Sequence, residues 1–301
     1  MKRLLAVCLL AAMLLPLGGC AASAENVTVM VTFYPLYILA ENVLDGVENV
    51  TLLSMTTPST GCLHDYQLLP RDMRALATAQ LLLINGAGME SFLPEVEKQF
   101  ASLQVVDCSQ GVDLLAEEDH DEVEETGHDH GEFNAHIWLD PQNAIQMVNN
   151  MTAAFTDLLP DRAGQIRENA QAYTQLLTDL DAELREAIAQ LPRKKIVTFH
   201  EAFPYFARAY GLDVVAVVAL EPEEPVSPRM LAEVIAAVKE NDNPPLFSEP
   251  QYENAALKAV AQETGAPVFE LDPLVTGEGE KTAYQDVMRK NLAVLQEALG
   301  D

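Results

Sequence analysis

The stretch GQIRENAQAYTQLLTDLDAELREAIAQLP, residues 164–192, decides how the chain is organised. Its apolar side chains recur mostly at spacings of three and four, the period of one face of an α-helix. They are Ile166, Ala170, Tyr173, Leu176, Leu177, Leu180, Leu184, Ile188 and Leu191. A stripe of about 26 residues makes a helix about 39 Å long, enough to run along two lobes. Pro192 and the cations of 193–195 are typical of a helix C-terminus.

Short apolar runs alternate with helical segments on both sides of this helix. The predicted strands are 27–33, 49–55, 80–84 and 103–107 before it, and 195–199, 213–220, 245–248 and 268–271 after it. This alternation is typical of α/β folds with parallel sheets. We therefore predict two (β/α) lobes joined by one long backbone helix. The N-terminal lobe would span 27–163, the linking helix 164–192 and the C-terminal lobe 193–301.

The N-terminus resembles the leader of a bacterial lipoprotein. Lys2 and Arg3 precede an apolar run of about a dozen residues, which is too short for an ordinary membrane span. Small residues then precede Cys20, as in a lipobox. We predict a signal peptide over 1–19, lipidation of Cys20, and a tether over 20–26. The protein would then lie outside the cytoplasmic membrane, at the cell surface or in the periplasm. The alternative is an ordinary signal peptide with a chance cysteine.

The composition excludes one class of partner. The net charge is −28 and hydrophobic residues make up 49% of the chain. Such a chain can form real cores, and its surface repels the phosphates of nucleic acids. We therefore expect no nucleic-acid partner. An acidic surface is compatible with a cation as ligand but does not require one.

Cys62 and Cys108 are the cysteines that would remain beyond the lipobox. In an oxidising compartment they either form a disulfide or stay as two free thiols. A third interpretation makes Cys62 a neighbour of a metal ligand at His64. The residues alone leave these alternatives open.

Three distant histidines and one aspartate share a position relative to the predicted strands. His64 follows the second strand, His136 lies between a loop and a helix, His200 ends a strand, and Asp272 follows the last strand. Ligands of open α/β sheets bind beyond the carboxyl ends of the strands. Imidazole and carboxylate suit Zn²⁺ and, with more oxygen, Mn²⁺. A structural role for each histidine stays open, because the chain has no short local metal motif.

A set of motifs resembles one known family. In chain order these are the lipobox, Phe33-Tyr34-Pro35, His64-Asp65-Tyr66 followed by Pro70, 85–90 (NGAGME), a His-rich acidic loop, 136–141 (HIWLDP), Thr198-Phe199-His200 and 248–251 (SEPQ). Together they resemble the metal-binding lipoproteins of bacterial zinc and manganese ABC transporters. The resemblance covers essentially the whole chain after the leader. One departure is Leu63, where many members have proline.

The resemblance implies a single metal site between the lobes. His64, His136 and His200 would be ligands, and Asp272 matches a carboxylate that completes the site in some members. The protein would capture Zn²⁺, with Mn²⁺ as the alternative, and deliver it to an ABC permease. Its other contact would be the membrane, through the lipid anchor, and we expect a monomer. Histidine at position 200 is typical of the zinc branch.

The segment 117–132 reads EEDHDEVEETGHDHGE, almost all acid and histidine. It has no apolar period and should not pack into a core. We interpret His120, His128 and His130 as a weak metal-collecting loop. The alternative is a solvated linker that happens to contain histidine.

Two other functions are alternatives to transport. The first is an extracellular zinc hydrolase, which needs an open coordination position and a general base, for which Glu201 is the candidate. No metallohydrolase motif is present, so we predict no enzymatic activity and no catalytic residue. The second is a cell-adhesion lipoprotein, which nothing in the residues separates from transport. Glu249 is expected to hold loop structure at the lobe interface rather than to bind metal.

Overall fold

The computed structural model describes residues 26–56, 63, 66–116, 132–218, 226–252 and 255–300. It contains two four-stranded parallel sheets and one long helix between them. The predicted α/β fold is therefore confirmed. The lipobox with Cys20, the predicted ligand His64 and the segment 117–131 lie outside the described residues.

The first sheet belongs to the N-terminal lobe and has the strand order β2-β1-β3-β4, with every pair parallel. Its strands are β1 Val27–Val31, β2 Val50–Ser54, β3 Leu81–Ile84 and β4 Gln104–Asp107. The helices of this lobe are α1 Tyr34–Val43, α2 Pro70–Leu76, α3 Leu93–Gln99 and α4 Pro141–Leu158. β3 is buried along its whole length, as a parallel strand covered on both faces should be.

The second sheet repeats this topology strand for strand, with the order β6-β5-β7-β8. Its strands are β5 Lys195–Thr198, β6 Asp213–Val217, β7 Leu246–Ser248 and β8 Val268–Glu270. The helices of the C-terminal lobe are α6 Pro204–Tyr210, α7 Pro228–Glu240, α8 Ala255–Thr264 and α9 Ala283–Leu299. Several helices in both lobes begin with proline, whose missing N–H is not needed in the first turn.

The linking helix is α5, Ala163–Ala189, and its buried face is the predicted stripe with one correction. Leu176 is 53% exposed, so its assignment to the stripe was wrong. Leu177 is four residues after Tyr173 and takes the buried position instead. The stripe also buries Asp181, which accepts hydrogen bonds from Gln142 Nε2 at 2.9 Å and Tyr210 Oη at 3.0 Å.

One hydrophobic core runs through both lobes. It includes Phe33 and Trp138 from the N-terminal lobe, Leu184 of α5, and Phe206 and Tyr284 from the C-terminal lobe. Two separate clusters fill the outer faces of the sheets, one involving α2 and α3 and the other α7 and α8. Because close-packed interiors resist deformation, a shared core disfavours large movement of one lobe against the other.

None of the helices within the described ranges has the length and apolar character needed to cross a membrane.

Candidate metal site

His136 is held in the N-terminal lobe by the side chain of Asn134. The backbone N–H of His136 donates to Asn134 Oδ1 at 3.0 Å, and ring atom Nδ1 lies 3.3 Å from the same oxygen. Asn134 Nδ2 donates to the carbonyl of Glu201 at 3.0 Å. Glu201 follows His200 in the chain, so Asn134 links the two histidine segments across the lobes.

His200 lies two residues after β5 and is 0% exposed. Its Nδ1 is 2.7 Å from Oε1 of Glu249, a buried carboxyl group that directly follows β7. Because β5 and β7 are neighbouring parallel strands, their carboxyl ends meet at one edge of the sheet. This edge is where open α/β sheets bind their ligands.

The rings of His136 and His200 lie together, with centroids 4.8 Å apart and planes at 75°. Two imidazoles that bind one zinc ion at about 2.1 Å and a tetrahedral angle have centroids about 5 Å apart. The spacing of the two rings therefore fits one shared metal ion. Imidazole nitrogen is also a preferred donor for zinc.

Asp272 lies two residues after β8 and is half-buried. Its backbone N–H donates to Asn291 Oδ1 at 2.9 Å, and its carbonyl accepts from Asn291 Nδ2 at 2.8 Å. The Oδ1 atom of Asp272 accepts from the N–H of Leu274 at 2.9 Å and from Gln251 Nε2 at 3.2 Å. The position of Asp272 is therefore set by both α9 and the segment that follows β7.

Trp138 ties the His136 segment to the C-terminal lobe. Its Nε1–H donates to the carbonyl of Pro273 at 2.8 Å, and its own carbonyl accepts from Tyr284 Oη at 2.6 Å. Its ring packs against His136 with centroids 5.2 Å apart. The single tryptophan thus connects the candidate site to the shared core.

A second buried carboxyl group, Glu90, lies at the carboxyl edge of the N-terminal sheet. It accepts hydrogen bonds from Thr32 Oγ1 and the N–H of Asn85, each at 2.7 Å, and from the N–H of Gly86 at 3.1 Å. Burial is the main cause that raises the pKa of Glu90 to about 7. Its hydrogen bonds go to hydroxyl and backbone groups of the lobe itself.

The described residues bring together only part of the predicted ligand set. Among them, no three His, Cys, Asp or Glu side chains form a metal-binding group. The rings of His136 and His200 are in contact, but Asp272 does not form a three-residue metal-binding group with them. His64, His120, His128 and His130 lie outside the described residues, so the complete ligand set stays a prediction.

Cys108 follows β4, is fully buried and forms no disulfide with another described residue. Burial raises the pKa of its thiol well above the usual value, which makes the reduced form a poor nucleophile. Its suggested partner, Cys62, lies outside the described residues. The choice between a disulfide and two free thiols therefore stays a prediction.

Most of the residues that hold the predicted ligands were not identifiable from the sequence, and Glu249 was assigned to loop structure at the lobe interface without its contact to His200. Asn134 contacts His136, Glu249 contacts His200, and Gln251 with Asn291 contacts Asp272. Glu249 and Gln251 lie within a recognised motif, but the motif does not reveal which side chain they contact. Only the proximity of Asn134 to His136 in sequence was a usable local signal.

Two α/β lobes that carry potential metal ligands at the carboxyl edges of their sheets are typical of a binding protein whose bound molecule lies between its lobes. More specifically, the chain belongs to the family described as "Zinc-uptake complex component A periplasmic", which matches residues 29–298. The predicted family resemblance is confirmed. This is a family of substrate-binding transport components rather than of enzymes, and nothing in the similarities favours the zinc hydrolase.

Two relatives and one solved structure illustrate the similarity. The chain is 29% identical over 291 residues to the high-affinity zinc uptake system protein ZnuA of Bacillus subtilis (strain 168), covering 94% of this chain and 90% of that protein. It is 31% identical over 285 residues to the zinc-binding lipoprotein AdcA of Streptococcus pneumoniae (strain ATCC BAA-255 / R6). That match covers 90% of this chain but 56% of AdcA, so the chain spans little more than half of that relative. The zinc-bound crystal structure of a 138–173 deletion mutant of ZnuA matches with a TM-score of 0.78 and 25% identity, covering 92% of this chain and 99% of that one.

Proposed function

We propose that this protein captures Zn²⁺ outside the cytoplasmic membrane and delivers it to an ABC permease. The observation that carries the proposal is the buried pair His136 and His200, whose ring centroids are 4.8 Å apart. Family membership and the zinc-binding relatives support the same ion. The metal is cargo in this proposal, so the site must hold it without transforming it.

The proposed ligands are His64, His136, His200 and Asp272. Three imidazoles and one carboxylate favour zinc, whereas Mn²⁺ prefers a site richer in oxygen. Four protein ligands would also close the coordination sphere, which leaves no open position for the water that a hydrolase needs. Mn²⁺ is the alternative cargo.

Competitive titration of the metal-free protein with Zn²⁺ and Mn²⁺ tests this function. We expect one tight zinc ion per chain, bound more strongly than manganese. Loss of a direct ligand should exceed the 10–100-fold loss typical of outer residues, so His200→Ala should weaken zinc by more than about 100-fold. Asp272→Ala should weaken it by at least about 10-fold if the carboxylate is a ligand. A wild type whose melting temperature does not rise with zinc would overturn the proposal.

We also propose that Cys20 carries lipid and anchors a monomer to the outer face of the membrane. The leader sequence, with small residues before Cys20, supports the lipid anchor. Metabolic labelling with a fatty acid should mark the wild type and not Cys20→Ala. Light scattering of the soluble part should give the mass of one chain.

The His-rich segment is proposed to collect zinc weakly before it reaches the main site. Its support is composition, since clustered acid and imidazole raise the local cation concentration. Replacing His120, His128 and His130 by Ala together should remove weakly bound zinc and leave the tight site unchanged. Equal amounts of weakly bound zinc in both proteins would contradict the proposal.

A further inference from the structure

The turn Glu249-Pro250-Gln251 after β7 contacts both candidate ligands of the C-terminal lobe. Glu249 Oε1 lies 2.7 Å from His200 Nδ1, and Gln251 Nε2 donates to Asp272 Oδ1 at 3.2 Å. His200 comes from β5 and Asp272 from β8, the two neighbours of β7. One short turn therefore sits between two residues that would hold the same ion.

Among the residues that the structure describes, the carboxyl group of Glu249 has few other partners. It is buried, and its second oxygen, Oε2, accepts no hydrogen bond from the described residues. Burying a charged carboxylate is costly unless it is paired. Within the described part of the chain, the contact with His200 is thus the main interaction that offsets the cost of burying this group.

We infer that Glu249 is a positioning residue for zinc, an inference that rests on the proposed function. Its carboxylate accepts the proton of His200 Nδ1, which leaves Nε2 as the nitrogen that binds the metal. A carboxylate partner fixes both the tautomer and the orientation of a metal-binding histidine, and it makes the ring a stronger donor.

Gln251 extends the same role to Asp272. Its amide nitrogen is shared between Asp272 Oδ1 at 3.2 Å and Thr276 Oγ1 at 2.9 Å. Asp272 Oδ1 also accepts from the N–H of Leu274 at 2.9 Å. With Oδ1 engaged by two donors, Asp272 would bind zinc through Oδ2 alone.

Zinc affinity measured by chelator competition tests the inference. Glu249→Gln keeps the size and one oxygen acceptor but loses the charge, so zinc should bind about 10-fold more weakly. Glu249→Leu also loses the acceptor and should approach a 100-fold loss. Gln251→Leu should weaken zinc less than Glu249→Leu. The matched control is Asp181→Asn, a buried carboxyl on α5 that hydrogen-bonds Gln142 and Tyr210 rather than either histidine, which should bind zinc like the wild type.

A second measurement separates positioning from a purely structural role. Side-chain ¹H–¹⁵N correlation spectra of the metal-free protein at mildly alkaline pH should place the His200 proton on Nδ1. The His200→Ala spectrum identifies these signals. Glu249→Leu, if it folds, should lose this preference, and circular dichroism of each variant reports the folded fraction.

Two results would overturn the inference. The first is a His200 proton on Nε2 in the wild type. The second is zinc binding by folded Glu249→Gln within about threefold of the wild type, since outer residues normally contribute 10-fold or more. Absence of zinc binding by the wild type would instead remove the proposed function itself, so the two failures are distinguishable.

Discussion

The two lobes have the same strand order, and each buries a glutamate side chain at the edge of its sheet where the strands end. The partners of the two glutamates differ. In the N-terminal lobe, Glu90 is surrounded by a hydroxyl group and backbone N–H groups. In the C-terminal lobe, Glu249 faces the imidazole of His200. The edges are related by topology, but the partners of the two carboxyl groups differ.

This difference teaches that the partner, not the position in the fold, decides what a buried carboxyl group does. Glu90 holds the ends of β1 and β3 together, and its pKa is raised to about 7 because burial disfavours its charge. Glu249 contacts a residue that would bind metal. We therefore expect Glu90 to act on stability and Glu249 to act on zinc affinity.

The largest expected effect concerns Glu90→Gln and the pH dependence of stability. Burial raises the pKa of Glu90 from 4.5 to about 7 in the folded protein. Between these values the folded state binds more protons than the unfolded state, so stability falls as the pH rises. The wild type should lose about 3 kcal/mol over this window through Glu90, a loss that the non-titrating Gln variant lacks.

Urea unfolding of both metal-free proteins at about pH 5 and about pH 8 measures this effect, because other titrating groups cancel between them. If the free energies of unfolding of the wild type and Glu90→Gln differ by the same amount at both pH values, the prediction is contradicted. The expected division of roles between the lobes would be wrong if folded Glu90→Gln lowered the affinity for zinc as much as Glu249→Gln does.

A smaller effect is expected from Trp138→Phe, which cuts a buried link between the lobes. The change removes the donor to the buried carbonyl of Pro273 and should reduce the free energy of unfolding by about 2–3 kcal/mol. The matched control is Tyr173→Phe, because the buried hydroxyl of Tyr173 has no partner within the described part of the chain. This control should leave stability unchanged or slightly raised. A loss in Trp138→Phe no larger than that in Tyr173→Phe would contradict the prediction.

The smallest effect is expected from Lys281→Ala, which removes an exposed ion pair between the lobes. Lys281 of the C-terminal lobe contacts Asp45 of the N-terminal lobe, and both side chains are about half exposed. Exposed pairs contribute less than about 1 kcal/mol and weaken in salt. Denaturant unfolding at low and high salt should give a result like that of Arg289→Ala, which removes the exposed pair with Glu183. A loss as large as that of Trp138→Phe would make the surface, rather than the shared core, the main link.

Local pattern was enough to predict much of the fold. The apolar stripe placed α5 within a few residues of its observed bounds, Ala163–Ala189, and the alternation of strands and helices predicted the two sheets. Leu176 was the error within the stripe, because two adjacent leucines share a face only in part and spacing alone cannot rank them.

The candidate site was predictable only as a set of residue types at strand ends. His136 and His200 were named from position and family resemblance, and the structure brings their rings within 4.8 Å. Their supporting contacts were not predictable. His200 and Glu249 are separated by 49 residues, and Trp138 and Pro273 by 135.

Helix period, strand alternation and the order of the motifs depend on residues that are close together in the sequence. They are enough to predict the architecture and the family. Which carboxyl group faces a histidine depends on how parallel strands lie side by side, because strand order brings distant segments to one edge. That pairing separates Glu249 beside His200 from Glu90 among neutral donors, and only the tertiary structure contains it.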